Sequence, residues 1–289
     1  MSTPGAGRHA RSPGRTPRLF VSAQLEAGTA VALSQDHRHY LANVLRLSQG
    51  SAVQLFNGRD GEWTAALEVL ERRAAIARPA SQLRPQAAPQ PLRLLFAPLK
   101  RARTEFIVEK ATELGCAAIQ PVITRRTRPE KLKLNRLEAI AIEAAEQCTL
   151  LSVPDVREPI DLAAALAGLS HDDVLVFCNE AAPAASPLGQ LAALQAARAP
   201  GDRAPAKSAL DGGASDGPGT GVRADERAYL HVLIGPEGGF DDAERAAISA
   251  CRAHVSDISL GPRVMRADTA AVAALTLVSA LLGDWPRAE

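Results

Sequence analysis

The sequence has little of what marks metal-binding, secreted or membrane proteins. Only four of its 289 residues are cysteines, and Cys116, Cys148, Cys178 and Cys251 lack the spacing of metal ligands or redox pairs. We therefore expect no bound metal and reduced, mostly buried thiols in the cytoplasm. The longest apolar run, residues 270–282, is too short to span a membrane. No apolar segment lies near the N-terminus, so we also expect no secretory signal peptide.

Aromatic residues and net charge are also scarce. Aromatics make up 3% of the chain, which argues against an extensive surface for stacking nucleic-acid bases. The formal net charge of +1 hides an uneven distribution, because residues 1–90 carry 11 basic and 6 acidic residues, and residues 100–136 carry 10 and 4. Such basic segments indicate an anionic partner, although an ordinary solvated surface has a similar composition.

Composition divides the chain into two domains and three polar segments. Residues 1–17 are rich in Gly, Pro, Ser and Arg, which predicts a disordered arm and is also compatible with an organelle transit peptide. Residues 18–78 predict a small β-barrel, and the Pro- and Gln-rich residues 79–91 predict a linker. Residues 92–286 predict an α/β domain, which a disordered Gly-rich insertion at about 196–227 interrupts.

The periodicity of apolar residues differs between the two domains. In the first, it predicts strands at 18–21, 52–56 and 62–70 and a helix at 36–47, whose apolar face holds Leu41, Val44 and Leu45. In the second, apolar strands alternate with helices, which indicates a mostly parallel sheet covered on both faces. Its predicted strands are 92–98, 117–123, 174–178, 229–234 and 257–260, and its predicted helices are 104–115, 135–148, 241–251 and 269–282, with Asn135 as an N-cap and an Asp241/Glu244 capping box.

The most informative segment is the loop Gly-Pro-Glu-Gly-Gly-Phe at 235–240, which follows a buried strand and precedes a helix. Ligands bind parallel sheets outside the carboxyl ends of the strands, and glycines let the backbone approach them closely. The loop is neither a P-loop nor a G-x-G-x-x-G motif, and Glu237 would repel a phosphate but could orient ribose hydroxyls or an amine. It therefore favours a nucleoside-like ligand, with a tight turn that binds nothing as the alternative.

Two further loops also follow predicted strands. In residues 259–270, backbone amides could hold the edge of an adenine, and Met265 could pack on its face. Arg266 and Asp268 come just before an apolar helix, where Asp268 could also serve only as an N-cap or as a neutral buried carboxyl group. Residues 177–180 form the third loop. We expect the three loops to converge on one pocket.

Ordered matches along the chain point to a known family. They are residues 39–47, 56–58, 109–115, 124–126, 143–147, 153–154, 234–240 and 260–270, together with Gly50 and Pro121. With these segments the chain resembles the RsmE-type 16S rRNA uracil-N3 methyltransferases of the SPOUT superfamily. The resemblance implies an N-terminal PUA-like β-barrel joined to an α/β SPOUT domain with a trefoil knot. It also implies S-adenosylmethionine as cofactor, a homodimer, and one uridine of the 30S subunit near the decoding centre as target.

The resemblance assigns roles to particular residues. Arg266 would stabilise negative charge on the uracil, and Glu237 or Asp268 would accept or orient the N3 proton. Cofactor contacts are expected from Cys178, Glu180, Leu233, Ile234, Gly235, Pro236, Glu237, Gly238, Gly239, Ser259, Leu260, Gly261, Val264, Met265, Arg266 and Thr269. RNA backbone contacts are expected from Arg18, His39, Arg46, Lys100, Arg101, Arg125, Arg126 and Arg128, with a packed core histidine as the alternative for His39.

The chain departs from the family pattern in two motifs besides the insertion. Residues 265–270 read Met-Arg-Ala-Asp-Thr-Ala where the family has Leu-Arg-Thr-Glu-Thr-Ala, and residues 148–152 lack the family's arginine. Two other functions stay open. A nucleotide-cofactor oxidoreductase would need a dinucleotide fingerprint, which is absent. A non-catalytic RNA-binding relative would not bind S-adenosylmethionine, so cofactor binding separates all three.

Overall fold

The computed structural model describes four stretches of the chain: residues 16–127, 131–182, 186–197 and 228–285. The predicted disordered arm up to residue 15, most of the predicted insertion and Arg128 lie outside the described residues. The chain divides into two compact units, Met1–Gln86 and Ala87–Glu289. Within the described stretches, no helix combines the length and apolarity needed to cross a membrane.

The first unit contains a five-stranded sheet. Its strands are β1 (Arg18–Phe20), β2 (Val31–Ala32), β3 (Ala52–Phe56), β4 (Glu62–Leu70) and β5 (Ala75–Arg84). They follow the order β1-β3-β4-β5-β2, in which only the β1–β3 pair is parallel. Three shifts in the register of β4 against β5 bend the sheet into a half-barrel. This sheet confirms the predicted β-rich character and covers an aliphatic core.

The predicted helix at 36–47 is two shorter pieces. Helix α1 (Gln35–His39) begins at Ser34, whose Oγ accepts a hydrogen bond of 3.1 Å from the amide of His37, and a π-helical turn (Tyr40–Val44) follows. The wider π turn rotates the side chains away from α-helical positions. Leu41 is therefore buried as predicted, whereas Val44 is 51% exposed.

The predicted linker also begins later than expected. Strand β5 continues to Arg84, so residues 79–84 are strand. Pro79 lacks an amide hydrogen, and a register shift lies beside its partner Ala65, which is how sheets accommodate proline. Nε of Arg84 contacts Glu62 at 2.7 Å and fixes the end of the strand.

The second unit contains the predicted parallel sheet. Its strands are β6 (Leu92–Phe96), β7 (Ala118–Ile123), β8 (Asp155–Val156), β9 (Ile160–Asp161), β10 (Val174–Cys178), β11 (Leu230–Ile234) and β12 (His254–Ile258). The order is β12-β10-β11-β6-β7-β8, with β9 beside β7, and every pairing is parallel. Strand β12 begins at His254, three residues before the predicted start, and ends at Ile258.

Six helices accompany this sheet: α2 (Arg101–Glu113), α3 (Leu134–Gln147), α4 (Leu162–Ala167), α5 (Pro187–Ala197), α6 (Asp242–Ser249) and α7 (Ala267–Leu281). Helices α4 and α5 were not predicted. The capping box of α6 is confirmed, because Asp241 Oδ1 accepts from the Glu244 amide at 2.8 Å and Glu244 Oε2 accepts from the Asp241 amide at 3.0 Å. The N-cap of α3 is Lys133, so the prediction for Asn135 is wrong.

Alternate strand residues build a core on each face of the sheet. Val232 and Ile234 of β11 face the larger core, which α2, α3, α5 and α7 cover. Leu233, between them, faces a smaller core with Phe177 and Phe240, which α4 and α6 cover. Burial on both faces is why these strands read as continuous apolar runs.

Candidate cofactor and active site

A cavity of about 420 Å³ lies at the carboxyl ends of β10, β11 and β12. The three strands are adjacent, and Cys178 at the end of β10 stands opposite both Ile234 of β11 and Ile258 of β12. The chain therefore leaves all three strands at the same level of the sheet. The three loops that the sequence predicts to converge do meet at this cavity.

Most of the predicted cofactor residues line this cavity. Those that do are Cys178, Glu180, Ile234, Gly235, Pro236, Glu237, Gly238, Gly239, Ser259, Leu260, Gly261, Val264 and Met265. The sequence reasoning missed Asn179, Ala182, Ile258, Pro262, Arg263, Ala267 and Ala270. Several of these directly neighbour predicted residues, so extending each predicted loop by one or two residues would have found them.

Three predicted cofactor residues do not line the cavity. The Leu233 side chain is fully buried in the smaller core, because it points to the opposite face from Ile234. Arg266 is the exposed N-cap of α7, and Thr269 is exposed in its first turn. The helix presents Ala267 and Ala270 to the cavity instead.

The loop at 235–240 is held by close packing at two glycines. A Cβ on Gly235 would lie 2.6 Å from the ring of Phe240, which is buried edge-to-face against Phe177. Gly239 has φ +65° and donates to the carbonyl of Pro236 at 2.9 Å. A Cβ on Gly239 would lie 1.8 Å from Oε1 of Glu180, so glycine at this position lets Glu180 lie against the loop.

Two arginines predicted to bind RNA hold this loop and the helix after it. Nη1 of Arg126 donates to the carbonyl of Gly238 at 2.6 Å. The amide of Arg125 donates to Glu244 at 2.7 Å, and its Nη1 contacts Asp241 at 3.0 Å. Both side chains are exposed, so these contacts support the cofactor loop from its outer side.

A residue that the sequence reasoning missed links the two predicted catalytic carboxylates. Arg103, in the first turn of α2, contacts Glu237 through Nη1, and its Nε lies 3.7 Å from Asp268 Oδ2. Asp268 does not cap α7, since its Oδ1 accepts from the adjacent amide of Thr269 at 2.9 Å. No local motif could have revealed Arg103, because its partners lie far along the chain.

The other predicted RNA contacts have different environments. The prediction for Arg18 is wrong: its side chain is 2% exposed, it pairs with Glu62, and its guanidinium lies 4.0 Å from the centre of the Phe56 ring. Burial favours the neutral form of Glu62, but its two arginine partners outweigh burial and lower its pKa. His39 is exposed, with Asn43 at 2.8 Å from its Nδ1, so the alternative of a packed core histidine is wrong. Arg46, Lys100 and Arg101 are exposed.

The chemistry of the cavity fits S-adenosylmethionine. Backbone at three strand ends and the side chains of Ile234, Ile258 and Leu260 suit a nucleoside, whereas Glu180 and Glu237 suit the cationic part of the molecule. Arg263 is the single basic residue among the described residues that line the cavity, so there is no basic cradle for a triphosphate. Burial raises the pKa of Cys178 to about 12, so its thiol stays protonated.

The described part of the chain contains no group of three or more His, Cys, Asp or Glu side chains placed to hold a metal ion. The fold and the cavity thus define an α/β protein with a nucleoside-type cofactor site at its strand ends. The preceding unit is a small curled β-sheet.

Comparisons with known proteins identify both parts. A family model described as an RNA methyltransferase domain matches residues 86–279, and one described as an RNA methyltransferase PUA domain matches residues 33–80. The chain belongs to this RNA methyltransferase family, as the sequence predicted. It is 30% identical to ribosomal RNA small subunit methyltransferase E of Synechocystis over 92% of this chain and 78% of that protein. It is 27% identical to the protein of that name from Rickettsia conorii, over 92% and 96%.

Solved structures show the same fold. A methyltransferase from Legionella pneumophila, in complex with its bound cofactor S-adenosylmethionine, is 27% identical over 92% of this chain and 98% of that chain, with a TM-score of 0.67. A ribosomal RNA small subunit methyltransferase E from Neisseria gonorrhoeae is 24% identical over 92% and 97%, with a TM-score of 0.69. The predicted combination of a PUA-like unit and a mostly parallel α/β domain is confirmed. The trefoil knot stays a prediction.

Proposed function

We propose that this protein transfers a methyl group from S-adenosylmethionine to N3 of one uridine in 16S rRNA of the 30S subunit, near the decoding centre. The observation that carries the proposal is the cavity at the ends of β10, β11 and β12, in a chain homologous over 92% of its length to ribosomal RNA small subunit methyltransferases E. Homology over nearly the whole chain covers both the cofactor domain and the RNA-binding unit.

The cavity-lining loops hold the cofactor. S-adenosylmethionine, when bound, supplies a methyl group activated by its sulfonium. The backbone at 234–239 and 259–261 holds the nucleoside, and Met265 and Leu260 pack against it. The carboxylate of Glu180, fixed against Gly239, lies where it can favour a cationic ligand. Leu233 and Thr269 act behind these loops.

The residues near the cavity mouth prepare the uracil. Its N3 is an imide nitrogen that must lose a proton, and the resulting negative charge spreads onto O2 and O4. Arg266 is exposed beside the cavity and has no ion-pair partner among the described residues, so it is available to stabilise that charge. Glu237 or Asp268 accepts or orients the proton. Both carboxylates are held in place by Arg103.

The remaining parts of the proposal concern RNA and assembly. His39 and Arg46 of the PUA unit and Lys100 and Arg101 of the α/β unit contact the RNA backbone, because all four side chains are exposed and basic or polar. The protein works as a homodimer in the cytoplasm. The PUA-like domain ends at Arg84 rather than residue 78, and residues 85–91 form the linker.

The test is a methyl-transfer assay. The purified protein is incubated with labelled S-adenosylmethionine and 30S subunits from a strain that lacks the endogenous enzyme, and the RNA is analysed by nucleoside mass spectrometry. We expect 3-methyluridine in 16S rRNA. Cofactor binding without transfer would indicate another RNA target, and absence of both would favour the non-catalytic relative. The family match leaves no support for the oxidoreductase alternative.

A further inference from the structure

A second, smaller cavity lies between the starts of α2 and α3, and it shares no lining residue with the cofactor cavity. Its volume is about 60 Å³. Its charged lining residues are Arg101, Lys131, Lys133, Arg136 and Glu105. We call this site the basic cavity. Four cationic side chains against one carboxylate give it a net positive charge, which suits an anion.

Glu105 organises half of this positive charge. Its Oε1 accepts from Nε of Arg136 at 2.6 Å and from Nε of Arg101 at 2.8 Å, and its Oε2 accepts from Nη2 of Arg136 at 3.0 Å. The hydrogen bond from Arg136, against the opposing effect of burial, lowers the pKa of Glu105 to about 2. The carboxylate is therefore ionised at neutral pH and offsets one of the positive charges.

The two lysines are placed differently. Lys131 and Lys133 are exposed and have no ion-pair partner among the described residues. An exposed ammonium group without a counter-ion is available to an incoming phosphate at little desolvation cost. Lys131 and Lys133 therefore complement the two arginines, which Glu105 holds in a fixed orientation.

The helix starts at the basic cavity have an unusual charge pattern. Acidic residues and side-chain caps normally stabilise the first turn of a helix. The N-caps here are Lys100 for α2 and Lys133 for α3, neither makes a side-chain cap hydrogen bond, and neither first turn contains an acidic residue. Basic residues at both starts disfavour the helices themselves but, together with the helix dipoles, favour an external anion.

We propose that the basic cavity binds a phosphodiester group of the RNA backbone and that Glu105 limits the strength of this contact. The inference rests on the proposed function in one respect, namely that the polyanion is the RNA substrate. The site acts by position alone, since phosphate contacts carry no sequence information. It lies in the α/β unit and adds to the RNA contacts of the PUA unit.

The first test removes cations. The dissociation constant of a 16S rRNA transcript is measured by filter binding at several salt concentrations for wild type, Lys133→Gln and Arg136→Gln. We expect each variant to bind about three- to tenfold more weakly, and the slope of log K against log salt to fall by about 0.7–0.9 per lost contact. Unchanged affinity and slope in both variants would overturn the proposal.

The second test removes the negative charge. Glu105→Gln frees Arg101 and Arg136 from their carboxylate, so RNA affinity should rise by about three- to tenfold at low salt. Glu113→Gln is the matched control, because Glu113 is also on α2 and is also paired, with Lys110 at 2.8 Å, but does not line the basic cavity. It should leave RNA affinity unchanged. Equal RNA affinity in wild type and Glu105→Gln would contradict the proposal.

Two further measurements make the outcome specific. S-adenosylmethionine binding by each variant verifies that the α/β unit is folded, and methyl transfer by wild type tests the proposed function separately. If wild type methylates RNA while all variants bind RNA equally, only the basic cavity proposal fails. Inorganic phosphate is titrated on the same variants. Phosphate binding that depends on Arg136, with unchanged RNA affinity, would make the basic cavity a free-anion site and overturn the proposal.

Discussion

Arg103 contacts the carboxylate of Glu237 across 134 residues of sequence. Its guanidinium also approaches Asp268, with 3.7 Å between Nε and Oδ2. One side chain of α2 therefore joins the glycine-rich loop to the start of α7, and both segments border the cofactor cavity. The position of Arg103 is itself fixed, since Oγ1 of the neighbouring buried Thr104 accepts from the amide of Leu99 at 3.0 Å.

Replacing Arg103 with alanine should impair methyl transfer more than folding. Both carboxylates would lose their shared partner, and small displacements of reacting groups are costly in rate. We expect kcat to fall about tenfold or more, while Arg103→Lys retains part of the activity because it keeps one charged contact. Steady-state kinetics of both variants measure this. Equal loss in Arg103→Lys and Arg103→Ala would show that charge does not matter at this position.

A matched control for this prediction is Arg252→Ala. Arg252 is an exposed arginine of the same unit that lies outside the cofactor cavity. Its removal should leave kcat and the KM for S-adenosylmethionine unchanged. A similar loss in Arg252→Ala would indicate a general effect of net charge on RNA association, and the assigned role of Arg103 would be wrong.

Gly239→Ala should weaken cofactor binding by displacing Glu180. The new Cβ would lie 1.8 Å from Oε1 of Glu180, and alanine at φ +65° also costs about 1–2 kcal/mol of backbone energy. Gly28→Ala is the control for the backbone cost alone, because Gly28 has φ +79° and a Cβ added there would meet nothing within 4 Å. Calorimetric titration with S-adenosylmethionine should show about tenfold weaker binding for Gly239→Ala only. In a Glu180→Ala background the added loss should shrink.

Arg126→Gln should behave as a cofactor-loop variant rather than as an RNA variant. It removes the 2.6 Å hydrogen bond to the carbonyl of Gly238, so the affinity for S-adenosylmethionine should fall severalfold. Arg46→Gln, in the PUA unit, should instead reduce the salt dependence of RNA binding and leave cofactor affinity unchanged. The opposite pattern of losses would mean that the hydrogen bond of Arg126 has no role in holding the loop.

Stability should decrease on mild acidification because of His231. Burial lowers the pKa of His231, against the opposing effect of Asp173, whose Oδ2 lies 3.4 Å from Nε2. The unfolded chain then binds a proton near pH 6.5 that the folded protein does not, so the free energy of unfolding falls below that pH by up to about 1.4 kcal/mol per pH unit. Denaturant unfolding from pH 7.5 to 5 should show this slope.

His231→Leu removes the titrating group and should flatten the slope between pH 6.5 and 5. His171→Leu is the control, because the side chain of His171 is 85% exposed. A second loss is expected at lower pH. Hydrogen bonds from His231 and from the amides of Ser170 and Tyr229 outweigh burial and hold the pKa of Asp173 well below its usual range, so its contribution is lost as pH falls below about 4. An unchanged slope in His231→Leu would contradict this assignment.

The sequence determined much of the fold because local patterns reflect local causes. Continuous apolar runs predicted β10 within its observed bounds and β11 to within one residue, and the Asp241/Glu244 spacing predicted the cap of α6. The same patterns failed where packing or winding overrides them. Val44 is exposed because a π turn replaces an α turn, and β5 passes through Pro79 because a register shift accommodates it.

The sequence also determined where the cofactor loops end their strands, and hence most of the cavity. Tertiary structure alone decided which side chains accompany them. Arg18 is buried because Glu62 on another strand pairs with it, and Arg103 reaches Glu237 because α2 and the loop after β11 pack at the same end of the sheet. These pairings depend on which strands become neighbours. Strand order follows from the packing of the whole chain, so no local spacing encodes it.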